Sequence, residues 1–156
     1  MGRQHFMEQL SQDITTVVSP AVIAHGVNCQ NAMGSGVAKA LFLRWPDVKK
    51  EYHKFEKQVL GQVQFVQVEN NLYVANCFTQ EFYGRDGKRY ASPSAIAEAL
   101  DKVCSFVKKS LFLPNIVHIP KIGCNLGGLN FEADVEPTIV ALEKKHKIEF
   151  LIYNWS

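Results

Sequence analysis

The sequence predicts one α/β domain with a largely parallel sheet covered by helices on both faces. Three observations lead there. Short apolar runs alternate with longer amphipathic stretches, two of those runs open into glycine-rich loops, and no repeat, linker or low-complexity segment interrupts the chain. At 156 residues the chain suits a single domain over 1–156, long enough to bury a core without metals or disulfides.

Residues 21–26 (AVIAHG) follow Pro20 as a short, almost wholly apolar run, the mark of a strand buried on both faces. Residues 37–45 are apolar at helical spacing and end at Pro46, and residues 47–59 read as a second, more exposed helix. Residues 62–68 alternate Val63 and Phe65 with Gln62, Gln64 and Gln67. Asn70-Asn71 then turns the chain into residues 72–78, so the two runs form a hairpin. Ser92-Pro93 is a helix start, with serine as cap and proline in the first turn. Ile96, Leu100, Val103, Phe106 and Val107 recur at helical spacing behind it. Pro114 ends that element, and residues 116–119 form another short buried strand. A helix over 131–145 either begins at Pro137 or bends there, and residues 148–153 close the chain as a strand. The polar stretch 83–90 (YGRDGKRY) is a long loop that could act as a lid.

Composition excludes several classes. With 47% hydrophobic and 21% charged residues the chain is not disordered, and a net charge of +2 makes no case for a dedicated nucleic-acid binder. No run approaches the ~20 apolar residues that cross a bilayer, and residues 1–12 are too polar for a secretory signal. The expectation is a soluble, cytoplasmic monomer without a membrane partner. Cys29, Cys77, Cys104 and Cys124 never fall in C-x-x-C, so buried thiols rather than a metal site are expected, and neither a metal nor a cofactor is called for. The cluster Lys144-Lys145-His146-Lys147 is explained by a helix C-terminus.

Chemistry concentrates in two strand–glycine loop–helix units, residues 22–37 and 117–129. In a parallel sheet such loops lie beyond the carboxyl ends of the strands, where glycine lets the backbone approach a ligand and free N–H groups favour phosphate. Neither loop is G-x-x-x-x-G-K-[ST] or G-x-G-x-x-G. The pair suggests a diphosphate held by main-chain amides, against the plainer reading that the glycines only make tight turns.

Four motifs arrive in order: Gln12-Asp13-Ile14-Thr15, Ala24-His25-Gly26-Val27-Asn28, Met33-Gly34-Ser35-Gly36-Val37-Ala38, and Pro120-Lys121-Ile122-Gly123-Cys124-Asn125-Leu126-Gly127-Gly128-Leu129. From Leu10 to Tyr153 the chain resembles a macrodomain, in particular the divergent subgroup containing ADP-ribose 1″-phosphate phosphatase and terminal ADP-ribose glycohydrolases. The resemblance implies a three-layer α/β/α sandwich with a mixed, largely parallel sheet and ADP-ribose lying across the strand ends. It implies that Asp13 accepts from the adenine amino group beside the Ile14 N–H, with a turn cap as the alternative for Asp13. It places Asn28 against the distal ribose, residues 34–37 around that ribose and one phosphate, and the loop 123–129 around the other. Tyr153 or Trp155 would stack on adenine, core packing being the alternative for Tyr153.

The lysine and aspartate of the subgroup's glycohydrolases fall near Phe78 or Thr79 and at Gly127, so neither nucleophile nor acid is present. His25 is left as a candidate general acid or base, and equally as a core histidine. Asn28 is the other candidate catalytic residue. Asp86 and Glu81 could reach over the pocket, and Cys124 lacks a basic group to form its thiolate. The leading expectation is metal-independent hydrolysis of ADP-ribose 1″-phosphate. The alternatives are a non-catalytic ADP-ribose reader and removal of ADP-ribose from protein or nucleic acid.

Overall fold

Strands and helices alternate along the chain in the computed structural model, which describes residues 8–154 except 85, 87 and 125. Six strands form one sheet: β1 (Glu8–Leu10), β2 (Ala21–Asn28), β3 (Val63–Glu69), β4 (Leu72–Gln80), β5 (Ile116–Pro120) and β6 (Glu149–Tyr153). Their order is β1-β6-β5-β2-β4-β3, and the β3–β4 hairpin is the one antiparallel pair. Parallel neighbours require crossovers, and the crossovers supply the helices of both faces.

On one face lie α3 (Pro93–Lys109) and α4 (Glu136–His146), packed over Val22, Ala24, Ala75, Cys77, Val117 and Ile119. On the other lie a 3₁₀ turn (Ile14–Thr16), α1 (Gly36–Arg44) and α2 (Asp47–Lys54), packed over Ala21, Ile23, Val74 and Phe78. Successive residues of β2 and β4 thus feed opposite cores, which is why both strands read as continuous apolar runs. The result is a three-layer α/β/α sandwich with a mixed, largely parallel sheet. Among the described residues no helix is long and apolar enough to cross a membrane.

Local chemistry sets the boundaries. Ser92 Oγ accepts from the Ala95 N–H at 3.2 Å and Pro93 occupies the first turn of α3. Pro137 begins a helix rather than bending one: α4 starts at Glu136, after a separate π-helical turn at Phe131–Val135. Several elements differ from expectation: β4 reaches Gln80 rather than residue 78, and β1 is an additional strand. β2 runs two residues further, to Asn28, because it keeps pairing with β4 beyond Gly26. α2 stops at Lys54 instead of running to 59, since Phe55 is extended and its ring stacks on buried Phe78, centroids 5.5 Å apart.

Candidate functional site

A cavity of about 640 Å³ opens at the carboxyl ends of β2, β4 and β5. Its walls are His25–Asn28 from β2, residues 32–38, Thr79, Gln80, Tyr83 and Gly84 after β4, and Pro120–Cys124, Leu126 and Gly127 after β5. Both glycine loops therefore face the same space.

The first loop is held from below. Asn28 Nδ2 donates to the Ala32 carbonyl at 2.7 Å, and Asn28 Oδ1 accepts from the Gln30 N–H at 3.0 Å. Tyr52 Oη stands 2.9 Å from the Asn28 carbonyl and 3.0 Å from its Oδ1. Above this base, a Cβ on Gly34 or Gly36 would meet nothing within 4 Å, so the loop presents bare main chain. Gly36 has φ +62°, a conformation that favours glycine. Ser35 makes no side-chain cap, so among the described residues no capping side chain occupies the first-turn N–H groups of α1 at the cavity wall. Such an end attracts anions.

The second loop is pinned from the side. Leu129 N–H donates to the Gly123 carbonyl at 2.9 Å, while the Gly127 carbonyl accepts from Tyr90 N–H (2.8 Å) and Ala91 N–H (3.0 Å). Arg89 bridges to Asp134 at 3.2 Å, tying the segment before α3 to the π-helical turn. Gly123 has φ +76°, and a Cβ on Gly127 would lie 2.6 Å from the Gly123 carbonyl oxygen.

The wall carries no Asp or Glu among the described residues, and Lys121 is its one formally charged side chain, with Nζ over the Phe131 ring. His25 is buried. Asn76 Nδ2 donates to the Val48 carbonyl and Gln64 Oε1, which turns Asn76 Oδ1 toward His25 and makes Nε2 the protonated nitrogen. Burial brings the imidazole pKa down to about 4, so the ring is neutral near pH 7, and Nδ1 is buried without a partner. Burial likewise pushes the Cys29 thiol up to about 11, helped by Glu81, and the Cys124 thiol up to about 11. Neither is a ready thiolate.

The cavity thus gathers His25, Gly26, Val27, Asn28, Met33, Gly34, Ser35, Gly36, Val37, Ala38, Ile122, Gly123, Cys124, Leu126 and Gly127. Asn125 and Trp155 lie outside the described residues. Asp13, Ile14, Gly128, Leu129 and Tyr153 are not on its wall. Asp13 caps the 3₁₀ turn, its Oδ1 accepting from Thr15 N–H (2.9 Å) and Thr15 Oγ1 (2.8 Å), and Ile14 is core. Tyr153 is buried, with Oη 2.8 Å from His118 Nδ1. Asp86 is occupied by Tyr90 Oη at 2.9 Å. Sequence reasoning left Ala32, Thr79, Gln80, Tyr83, Gly84, Pro120 and Lys121 out of the site. The run that identifies β4 ends at Phe78 in the sequence reading, two residues short of Gln80, while Tyr83 and Gly84 open the stretch 83–90 expected as a lid.

No family model matches the chain. The fold is similar to that of a macrodomain protein from Streptomyces coelicolor, with TM-score 0.77 and 28% identity over 94% of this chain and 97% of that one. It also matches DarTG of Thermosipho africanus, solved in complex with ADP-ribose, at TM-score 0.75 and 20% identity, over 95% of this chain and 41% of that one. In sequence, an ADP-ribose 1″-phosphate phosphatase of Saccharomyces cerevisiae is 30% identical over 92 residues, 54% of this chain and 52% of the phosphatase.

Proposed function

The chain is a macrodomain, and from that premise we propose that its cleft binds ADP-ribose and hydrolyses ADP-ribose 1″-phosphate to ADP-ribose and phosphate. One observation carries the binding: two glycine loops, the first with bare main chain at Gly34 and Gly36, face each other across one cavity whose wall has no carboxylate among the described residues. A diphosphate between them would be held by main-chain N–H groups at the start of α1 and beside the second glycine loop, with no carboxylate among the described wall residues to repel it. The distal ribose would lie against residues 34–37.

The partial likeness to the yeast phosphatase supports hydrolysis as the reaction. In this cleft the work falls to preorganised amides that stabilise charge on the transferring phosphoryl group. Neutral His25 holds the floor of the cleft and does not supply a proton as an imidazolium near pH 7. The test is phosphate release from ADP-ribose 1″-phosphate by pure protein in chelator, run beside a calorimetric titration with ADP-ribose. Release with binding supports the whole proposal, and binding alone removes its enzymatic half.

The ionisable groups favour a second reading, a domain that holds ADP-ribose without turning it over. His25 is neutral and bonded to Asn76, and the Cys29 and Cys124 thiols are protonated near neutral pH. That reading predicts tight binding and no phosphate release.

A further inference from the structure

We propose that the Thr79 hydroxyl is a ligand-binding group of this cleft, hydrogen-bonded to an oxygen of the bound sugar phosphate. The inference rests on the cleft being the ADP-ribose site and adds a side-chain contact to a grip otherwise made by main chain.

Three observations converge on Thr79. First, it stands at a break in the ladder. Val27 pairs with Phe78 but Asn28 pairs with Gln80, so Thr79 is the extra residue of a β-bulge at the end of β4. Bulges beside binding sites re-aim a side chain that regular pairing would direct elsewhere. The main chain there is fixed, since the Ser92 N–H donates to the Thr79 carbonyl at 2.7 Å and Cys29 N–H to the Gln80 carbonyl at 3.0 Å.

Second, Thr79 is 1% exposed and lines the cavity, and its Oγ1, to which the described residues supply no hydrogen bond, is not sealed off, the one fully enclosed side-chain atom left unpaired being His25 Nδ1. A hydroxyl facing a cavity is ordinarily satisfied by what fills it, because leaving it unpaired is unfavourable. The cavity is where its partner would come from. Third, the β2 residue beside the Thr79 hydroxyl is Gly26, whose ladder partner is Cys77. A Cβ there would stand 2.6 Å from Thr79 Oγ1 and 3.2 Å from the Ile122 side chain, so glycine at 26 keeps the hydroxyl clear. Bulge, bare neighbour and unpaired hydroxyl are separate features, and all three open the same atom to the cavity.

A hydroxyl both donates and accepts, so it suits either a phosphoryl oxygen or a sugar hydroxyl. It is not offered as a nucleophile, because His25 is bonded to Asn76 on the opposite face of the sheet, toward α2.

The experiment titrates wild-type protein, Thr79→Val and Thr79→Ser with ADP-ribose and with ADP-ribose 1″-phosphate, alongside thermal melts. Thr79→Val should weaken binding about fivefold, the range for one hydrogen bond, and Thr79→Ser should restore it. A loss confined to the 1″-phosphate arm assigns the contact to the phosphoryl group, and an equal loss in both arms assigns it to the sugar. Gly26→Ala, which crowds the same hydroxyl, should reproduce the loss. A folded Thr79→Val protein that binds both ligands with wild-type affinity overturns the inference. Wild-type protein that binds neither ligand overturns the functional proposal itself, and this inference with it.

Discussion

Glutamate in place of Gly34 tests the anion cradle without testing the fold. Gly34 is exposed, a Cβ there meets nothing within 4 Å, and its φ lies outside the left-handed region, so a side chain can be carried without strain. The new carboxylate would enter a wall that otherwise holds no Asp or Glu among the described residues. At about 6 Å from a bound phosphate and an effective dielectric near 20, repulsion between two unit charges is roughly 3 kcal/mol, on the order of a hundredfold in affinity. Screening at physiological salt brings this toward tenfold, because the loop is open to solvent. Calorimetry with ADP-ribose measures it, a thermal melt confirms folding, and Gly34→Ala serves as the neutral control. The reasoning predicts near wild-type affinity for Gly34→Ala and a loss of tenfold or more for Gly34→Glu. A folded Gly34→Glu protein with unchanged affinity would refute the assignment of the loop.

Acid should destabilise the domain through its histidines. Burial holds both His25 and His118 at about 4, below the ordinary 6.5, so the unfolded chain binds more protons between those values. The corresponding stability is complete above pH 6.5 and is lost as pH falls toward 4, on the order of 3 kcal/mol for His25 alone. Urea midpoints across that range measure it, and a flat profile would contradict the burial. Asn76→Ala should cost about 3 kcal/mol in chemical denaturation, because it strands His25 Nε2, the Val48 carbonyl and Gln64 Oε1 together. A loss below 1 kcal/mol would show that water replaces the amide. Cys29 and Cys124 should alkylate slowly with iodoacetamide at neutral pH, since a thiol near 11 has a thiolate fraction of roughly 10⁻⁴. Rapid labelling of either, read by peptide mass, would mean that the cleft opens.

The layers were legible because burial follows periodicity. β2 and β4 read as continuous apolar runs since each feeds two cores, and Ser92-Pro93 announces α3 by its own capping chemistry. What was not legible depends on tertiary contacts. The three-residue edge strand β1 has too little pattern to see, and α2 ends where Phe55 finds Phe78, a tertiary contact that overrides local propensity. The glycine loops were visible as loops, and only the sheet order brings them to one cavity. The polar side chains were harder. Asn28 spends its amide on Ala32 and Gln30, Asp13 caps its own turn, and Tyr153 is buried against His118. Thr79 went unmarked because a bulge is a mismatch between two strands, which a single strand's sequence does not display.

A titration of isotope-labelled protein with ADP-ribose, followed by amide chemical shifts, addresses the cleft most directly. The account predicts that the largest changes fall on both Gly34–Ala38 and Gly123–Gly127 amides at the same ligand concentration. Changes confined to one loop, or lying at the opposite ends of the strands around Asn70 and Asn115, would contradict it.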